Sequence, residues 1–199
     1  MELSGLVWIV VGFLSGSIPY SVWIGRRVLG RDIRNVGDGN PGATNVFRAG
    51  GWLSGLVAVL LDGFKAAIPV GLACYAARLP QGWLFFAALA PILGHIFSPL
   101  LKGKGGKAVA ALFGMWAGLT FWEMPIVLGC FMGLWIFVLD SSAWAVMFSL
   151  LGGLAHLLLS HRDPFLLAAW AGSSALMVWT HRKELGRLPR LKALKRPGR

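Results

Sequence analysis

Long apolar runs separated by short polar segments constrain the fold of this chain more than any other feature. Hydrophobic residue types make up 56% of its 199 residues, and only 14% are charged. That charged share is about half of what a soluble domain carries. A soluble fold of this size needs more polar residues to cover its surface, whereas a surface that faces lipid needs few. The sequence therefore predicts an all-α integral membrane protein.

Seven of these runs are candidate membrane-spanning helices. They cover residues 6–24, 53–77, 83–101, 108–121, 126–139, 143–159 and 165–180. A helix needs roughly 20 mostly apolar residues to cross the bilayer. The fourth and fifth runs have only 14 residues each, so either could be tilted, partial or re-entrant. Seven crossings is the prediction, and five or six are the alternatives.

The basic residues indicate which helix ends share a side of the membrane. With seven crossings, 16 of the 19 Lys and Arg residues fall on one side, in segments 26–48 and 102–107 and in the tail. Because basic loops stay in the cytoplasm, we predict that the N-terminus lies outside and the C-terminus inside. Residues 1–181 then form a single polytopic membrane domain, and residues 182–199 form a basic cytoplasmic tail that contacts membrane lipid.

The net charge of +11 does not indicate a nucleic-acid partner. The basic residues lie in clusters between apolar runs and do not follow one polar helix face, so we assign them to topology, anionic lipid or an anionic substrate. Cys74 and Cys130 both lie inside apolar runs, and we expect no disulfide between them. Nothing in the sequence indicates an oligomeric state.

The segment 34–48 is rich in glycine and asparagine and ends in an arginine. Glycine can present successive backbone N–H groups to a ligand, and asparagine offers both donors and acceptors. Such a loop is suited to a phosphate or a carboxylate. The alternative is a flexible polar linker. A linker, however, does not need three asparagines and an arginine at this spacing.

A second glycine-rich segment, residues 102–107, leads into the fourth run. Its lysines and glycines precede a predicted helix start, where backbone amides and the helix dipole both favour an anion. It lacks the spacing of a P-loop and the Ser or Thr after the lysine, so we do not predict a nucleotide site. The alternative is a lysine cluster at the membrane interface that only fixes topology.

Charged residues within the runs have structural interpretations. Asp62 and Lys65 are three positions apart and can form an ion pair on one helix face. We interpret His156 as a hydrogen-bonded packing residue. The sequence contains no evident metal-ligand spacing, paired carboxylates or Ser-His-Asp order, and therefore predicts no metal, no cofactor and no covalent nucleophile.

Taken together, the motifs resemble the bacterial acyl-phosphate:glycerol-3-phosphate acyltransferases, the PlsY family. The resemblance rests on residues 35–37, 39–46 with Arg48, Leu61-Asp62 with Lys65, Gly94-His95, 103–110, His181-Arg182 and Arg187-Leu188. It implies a seven-helix enzyme of the bacterial inner membrane with its site on the cytoplasmic face. The implied reaction transfers a fatty acyl group from acyl phosphate to the sn-1 hydroxyl of glycerol 3-phosphate. The product, lysophosphatidic acid, is the first acylated intermediate of phospholipid biosynthesis.

The resemblance also implies the site residues. The implied catalytic residues are Asp38, Asn40, Arg48, Lys107 and His181, and the implied substrate-binding residues are Gly39, Gly42, Asn45, Lys104, Gly105, Gly106 and Ser141. The phosphates would be held by Arg48, Lys107 and His181. The two substrates would be glycerol 3-phosphate and acyl phosphate, with no metal or other cofactor.

Two positions depart from the family pattern by adding negative charge. Asp38 stands where the family usually has serine, and Glu184 stands where it usually has asparagine. A carboxylate near bound phosphates would repel them, although it could also accept a hydrogen bond or a proton. The alternative function is therefore a non-catalytic or altered-substrate member that binds a phospholipid-like anion. A small transporter is disfavoured because the polar motifs lie in loops on one face and no internal repeat is evident.

Overall fold

The computed structural model describes residues 2–192, and its regular structure there is helical apart from one isolated β-bridge. The α-helices are α1 (Glu2–Ser17), α2 (Tyr20–Arg27), α3 (Ala43–Gly71), α4 (Gln81–Ile96), α5 (Val109–Thr120), α6 (Glu123–Val138), α7 (Ser142–Ser160) and α8 (Pro164–Leu185). Helices α1 and α2 form one bent segment, interrupted at Ile18-Pro19, so residues 2–192 contain seven α-helical segments in sequence. This confirms the predicted all-α fold.

In the part of the chain that the structure describes, four segments are long and apolar enough to cross a membrane: Glu2–Arg27, Ala43–Ala76, Gln81–Leu101 and Ser142–Ser160. The two short runs form helices of 12 and 16 residues, α5 and α6. Helix α5 packs mainly against α3, and α6 packs mainly against α7. Neighbouring helices cover most of α5, whereas α6 buries only Met124, Pro125 and Leu128 and exposes several large apolar side chains.

The second segment begins ten residues earlier than the apolar run suggests. Helix α3 starts at Ala43 and runs through a kink at Gly51, where φ is +76°. Glycine tolerates this left-handed conformation, which would be strained for other residues. The predicted loop 34–48 is therefore a loop only as far as Gly42, and its last part is a short helical extension that carries Asn45 and Arg48.

Small residues let the helices that surround the site approach closely. A Cβ on Gly114 of α5 would overlap the carbonyl oxygen of Gly63 on α3, and a Cβ on Gly16 of α1 would overlap that of Pro91 on α4. Close approach of this kind stabilises helix pairs in lipid, where apolar burial gives little driving force.

The predicted ion pair joins α3 to the bent segment formed by α1 and α2. Lys65 Nζ lies 2.7 Å from Asp62 Oδ1, and the two side chains are only 1% and 2% exposed. Ser21 Oγ on α2 donates to the other carboxylate oxygen at 2.6 Å, and the lysine also donates to the Ile18 carbonyl at 2.7 Å. The pair therefore fixes the break between α1 and α2 against α3.

Helix α8 continues to Leu185, four residues past the predicted end of the membrane domain at residue 181. The residues after it pack against the connection before α7: Leu139 and Leu191 form an antiparallel bridge, and the Asp140 N–H donates to the Arg190 carbonyl at 3.0 Å. The first part of the tail is thus folded onto the bundle. The rest of the predicted tail, residues 193–199, lies outside the described residues.

Candidate active site

A cavity of about 530 Å³ lies between α3, α5 and α6. At one end its wall is formed by the two glycine-rich segments and by α8. All five residues implied to be catalytic line this polar end: Asp38, Asn40, Arg48, Lys107 and His181. These residues come from three segments that are far apart in the sequence, and the fold places them around one cavity.

The rest of the cavity is apolar. Its wall includes Phe64 and Ala67 from α3, Phe113 and Ala117 from α5, and Met132 from α6. It follows α5 from one end to the other, and the 12 residues of that helix span about 18 Å. A space of this shape suits a long alkyl chain whose polar head lies at the end with the charged residues.

Asn45 organises the first segment from behind the cavity wall. This buried amide donates to Asp38 Oδ1 and to the Asn40 carbonyl, each at 3.0 Å, and it accepts from Arg48 Nη1 at 3.0 Å. The Asn40 backbone N–H also donates to Asp38 Oδ1 at 3.2 Å. Asn45 therefore positions two charged groups at the cavity without lining it. Gly37 takes φ +59°, a left-handed conformation that is strained for other residues.

The second segment is fixed to the end of α4 through its glycines. The Gly105 N–H donates to the Ile96 carbonyl at 3.0 Å, and the Gly106 N–H donates to the His95 carbonyl at 3.2 Å. The sequence predicted that these amides would face an anion, and here they are engaged within the protein instead. The Lys107 N–H donates to Asn40 Oδ1 at 3.2 Å, which joins the two glycine-rich segments directly.

Lys107 is the charged centre of the polar end. Its Nζ lies 2.8 Å from Asp38 Oδ2 and 3.0 Å from Glu184 Oε1. The two residues that depart from the family pattern therefore contact the same ammonium group. Burial lowers the pKa of Lys107, but its hydrogen bonds with Asp38 and Glu184 raise it more, and the pKa lies above its ordinary value. Lys107 is therefore charged at neutral pH.

The Asp38 carboxylate is held in its ionised form. Burial raises its pKa, but hydrogen bonds from the Lys107 ammonium, the Asn40 N–H and the Asn45 amide outweigh burial, so the pKa lies below its ordinary value. A carboxylate with a lowered pKa is a weak proton acceptor at neutral pH. Its geometry is that of a group that holds Lys107 in place.

His181 presents one ring nitrogen to the cavity. Its Nδ1 lies 2.8 Å from the Met177 carbonyl, and because a carbonyl only accepts, Nδ1 carries the proton. This bond leaves Nε2 as the ring nitrogen that can contact a ligand.

The other implied substrate-binding residues fall into two groups. Gly42 lines the cavity, whereas Gly39, Asn45, Gly105 and Gly106 do not. Lys104 is exposed and outside the cavity, and Ser141 precedes α7 while its neighbour Ser142 lines the wall. The implied site residues did not include His95 and Asp62, which also line the cavity. Both residues lie in motifs that carry the family resemblance, so the sequence did contain a signal that could have included them in the site.

Replacing Gly105 with alanine is expected to lower the free energy of unfolding by about 1–3 kcal/mol. The new Cβ would overlap the His95 carbonyl oxygen, a backbone atom that cannot move aside cheaply. The measurement is thermal unfolding of the purified protein in detergent. Gly82→Ala is the matched control because a Cβ there meets no atom within 4 Å among the described residues. Equal unfolding temperatures for the two variants would contradict the close approach.

Comparison with known proteins identifies the family. Residues 6–190 match the family model described as glycerol-3-phosphate acyltransferase. The chain is 47% identical over 122 residues to glycerol-3-phosphate acyltransferase 1 of Thermotoga maritima, and this match spans 60% of each chain. It is 39% identical over 194 residues to the glycerol-3-phosphate acyltransferase of Thermus thermophilus, which covers 94% of this chain and 92% of that protein. The chain thus spans about 60% of the length of the Thermotoga protein and nearly all of the Thermus protein.

A solved structure has the same fold. The crystal structure of PlsY (YgiH), an integral membrane glycerol 3-phosphate acyltransferase, in its glycerol 3-phosphate form superposes with a TM-score of 0.83 at 29% identity. The match covers 92% of this chain and 91% of that one. The lysophosphatidic acid form of PlsY gives the same TM-score at 27% identity. These matches confirm the predicted all-α integral membrane fold, and the chain belongs to the glycerol-3-phosphate acyltransferase family.

Proposed function

We propose that this protein transfers a fatty acyl group from acyl phosphate to the sn-1 hydroxyl of glycerol 3-phosphate, forming lysophosphatidic acid and inorganic phosphate. The observation that carries the proposal is the single cavity with a cationic end and a long apolar remainder. Both substrates bring a phosphate to Lys107 and Arg48, and only the donor brings an alkyl chain for the groove along α5. Relatives that match most of this chain's length are named glycerol 3-phosphate acyltransferases, which supports the acceptor.

The reaction needs little covalent chemistry from the protein. The hydroxyl oxygen of glycerol 3-phosphate attacks the acyl carbon, and the bond from that carbon to the phosphate oxygen breaks. Lys107 and Arg48 stabilise the negative charge on the departing phosphate. The hydroxyl proton passes to the phosphate of glycerol 3-phosphate, whose second pKa is about 6, because Asp38 is the weaker base. Catalysis then rests on orientation and on fixed positive charge.

We infer that the polar end of the cavity faces the cytoplasm of a bacterial inner membrane, with the N-terminus outside. The support is the charge distribution: with seven crossings, 16 of the 19 basic residues fall on the side of the two glycine-rich segments. Glycerol 3-phosphate would then enter from the cytoplasm, and the acyl chain would lie at the depth of the membrane lipid.

The test compares acyl donors. The purified protein receives glycerol 3-phosphate with palmitoyl phosphate, and in parallel with palmitoyl-CoA. We expect lysophosphatidic acid from palmitoyl phosphate alone. Equal or faster product formation from palmitoyl-CoA would overturn the choice of donor, and no product from either would overturn the activity.

A second candidate is a non-catalytic member that binds a phospholipid-like anion. It is favoured by the two carboxylates on Lys107, because they compete with a substrate phosphate for the same ammonium. Retained binding of lysophosphatidic acid together with no turnover from either donor would favour this candidate.

Replacing Glu184 with glutamine is expected to lower the KM for glycerol 3-phosphate by up to about five-fold. The change removes a negative charge beside the phosphate, and such partly exposed charge interactions are worth about 0.2–1 kcal/mol. The measurement is steady-state kinetics at low and high salt, since screening should reduce the difference. Glu2→Gln, the same change at the start of α1, is the control and should leave the KM unchanged. A higher KM in Glu184→Gln would indicate that Glu184 is needed to position Lys107.

A further inference from the structure

Three potential metal ligands meet at the end of the bundle opposite the polar end of the cavity. Glu123 begins α6, and His156 and His161 stand at the end of α7. Glu123 Oε1 lies 2.7 Å from His156 Nε2 and 2.8 Å from His161 Nε2. The three ligand atoms all lie within 4.8 Å of one another. The sequence predicted no metal site because these residues come from two helices and are separated by 33 and 38 positions.

Two imidazoles and one carboxylate form a donor set that zinc takes in proteins, with water as the fourth ligand. Tetrahedral zinc with bonds near 2.0–2.1 Å places its ligand atoms about 3.3 Å apart. The observed contacts of 2.7 and 2.8 Å are shorter, so an ion would need the carboxylate oxygen to lie about half an ångström farther from each imidazole nitrogen, which the rotamer freedom of surface side chains permits.

The surroundings leave the cluster accessible to an ion. The side chains of Glu123, His156 and His161 are 43%, 25% and 31% exposed, so water can reach the fourth position. Ser160 Oγ lies 3.5 Å from His156 Nδ1, where it can accept the Nδ1 proton and leave the Nε2 lone pair for a metal.

The neighbouring charged groups are engaged elsewhere. Asp163 caps α8 by accepting from the Phe165 N–H at 2.7 Å, and Arg162 Nε donates to the Leu158 carbonyl at 3.1 Å. The carboxylate of Asp163 is therefore committed to its helix, and Glu123 is the carboxylate aimed at the two histidines.

We propose that Glu123, His156 and His161 bind a zinc-class divalent ion that joins the start of α6 to the end of α7. The choice of metal class follows from the two imidazole nitrogens, since Mg²⁺ and Ca²⁺ prefer oxygen ligands. The ion would lie on the membrane face opposite the proposed active site. Its binding is independent of the acyl transfer reaction.

The test is equilibrium dialysis of the full chain in detergent, after removal of any polyhistidine tag and of bound metal by a chelator. We expect one zinc ion per chain at micromolar free Zn²⁺, unaffected by excess Mg²⁺. Cobalt in place of zinc should give the visible absorption of a tetrahedral site. Zinc should also raise the unfolding temperature of the wild-type protein, because an ion that binds only the folded state stabilises it.

The variants locate the site. His161→Ala and the milder Glu123→Gln should each weaken zinc binding at least about ten-fold, since even changes behind a ligand cost 10–100-fold. His181→Gln, which removes a histidine from the cavity, should retain one zinc per chain. Absence of zinc binding by the wild-type protein, unchanged binding in both cluster variants, or loss of zinc in His181→Gln would overturn the proposal.

Discussion

Replacing Lys107 with alanine is expected to lower kcat/KM for glycerol 3-phosphate by about 10²–10³-fold, the usual cost of removing a group that stabilises charge in the transition state. The Lys107 ammonium lines the cavity between two carboxylates. Its loss removes positive charge and leaves Asp38 and Glu184 facing the substrate phosphates without a counter-ion, which adds repulsion. The measurement is initial-rate kinetics with palmitoyl phosphate as the donor.

Lys102→Ala is the matched control for this prediction. Lys102 stands five positions earlier in the same basic segment, is exposed and does not line the cavity. It carries the same charge, so any effect of net charge on membrane binding or substrate attraction should appear in both variants. We expect Lys102→Ala to retain turnover within about two-fold, since exposed charges contribute little. Similar losses in the two variants would indicate a general effect of charge and no specific role for Lys107.

Replacing Lys65 with methionine is expected to lower the free energy of unfolding by about 3–5 kcal/mol, because it leaves the Asp62 carboxylate buried without its partner. The pair is almost fully buried, and the lysine also donates to the Ile18 carbonyl. The measurement is equilibrium unfolding in mixed micelles of SDS and a mild detergent.

The double variant Asp62→Leu/Lys65→Met separates the charge from the packing. Removing both charges of a buried pair is often neutral, so the double variant should recover at least about half of the stability lost in Lys65→Met. If the free energy of unfolding of Lys65→Met lies within about 0.5 kcal/mol of the wild-type value, as is usual for substitutions of exposed residues, the ion pair does not stabilise the fold. If the double variant is less stable than Lys65→Met, the loss comes from packing.

The polar end of the site could be predicted from the sequence because its residues lie in short, distinctive motifs. The five residues implied by those motifs do surround one cavity. The roles of their neighbours could not be predicted in the same way. Asn45 was implied to bind substrate, but it contacts Asp38 and Arg48 from behind the wall, and only the helical start of α3 at Ala43 explains that placement.

The apolar part of the cavity could not be predicted from the sequence. In a soluble protein an apolar face marks the core, but in a membrane helix the residues that face lipid, another helix or a groove are equally apolar. Phe113 and Ala117, which line the cavity, are therefore as apolar as neighbouring residues that face lipid, and hydropathy does not distinguish them. The contact of Lys107 with Glu184 and the cluster at Glu123 both join residues that are far apart in the sequence, and sequence spacing does not reveal such contacts.

The central claim is direct transfer between two substrates in one cavity, without an acyl-enzyme. The most direct measurement is the release of inorganic phosphate when stoichiometric palmitoyl phosphate is mixed with the purified protein, first alone and then with glycerol 3-phosphate. Direct transfer predicts no rapid phosphate release without the acceptor, and equal amounts of phosphate and lysophosphatidic acid once it is added. A burst of one phosphate per chain before the acceptor is present would contradict it, because the acyl group would then have moved to the protein.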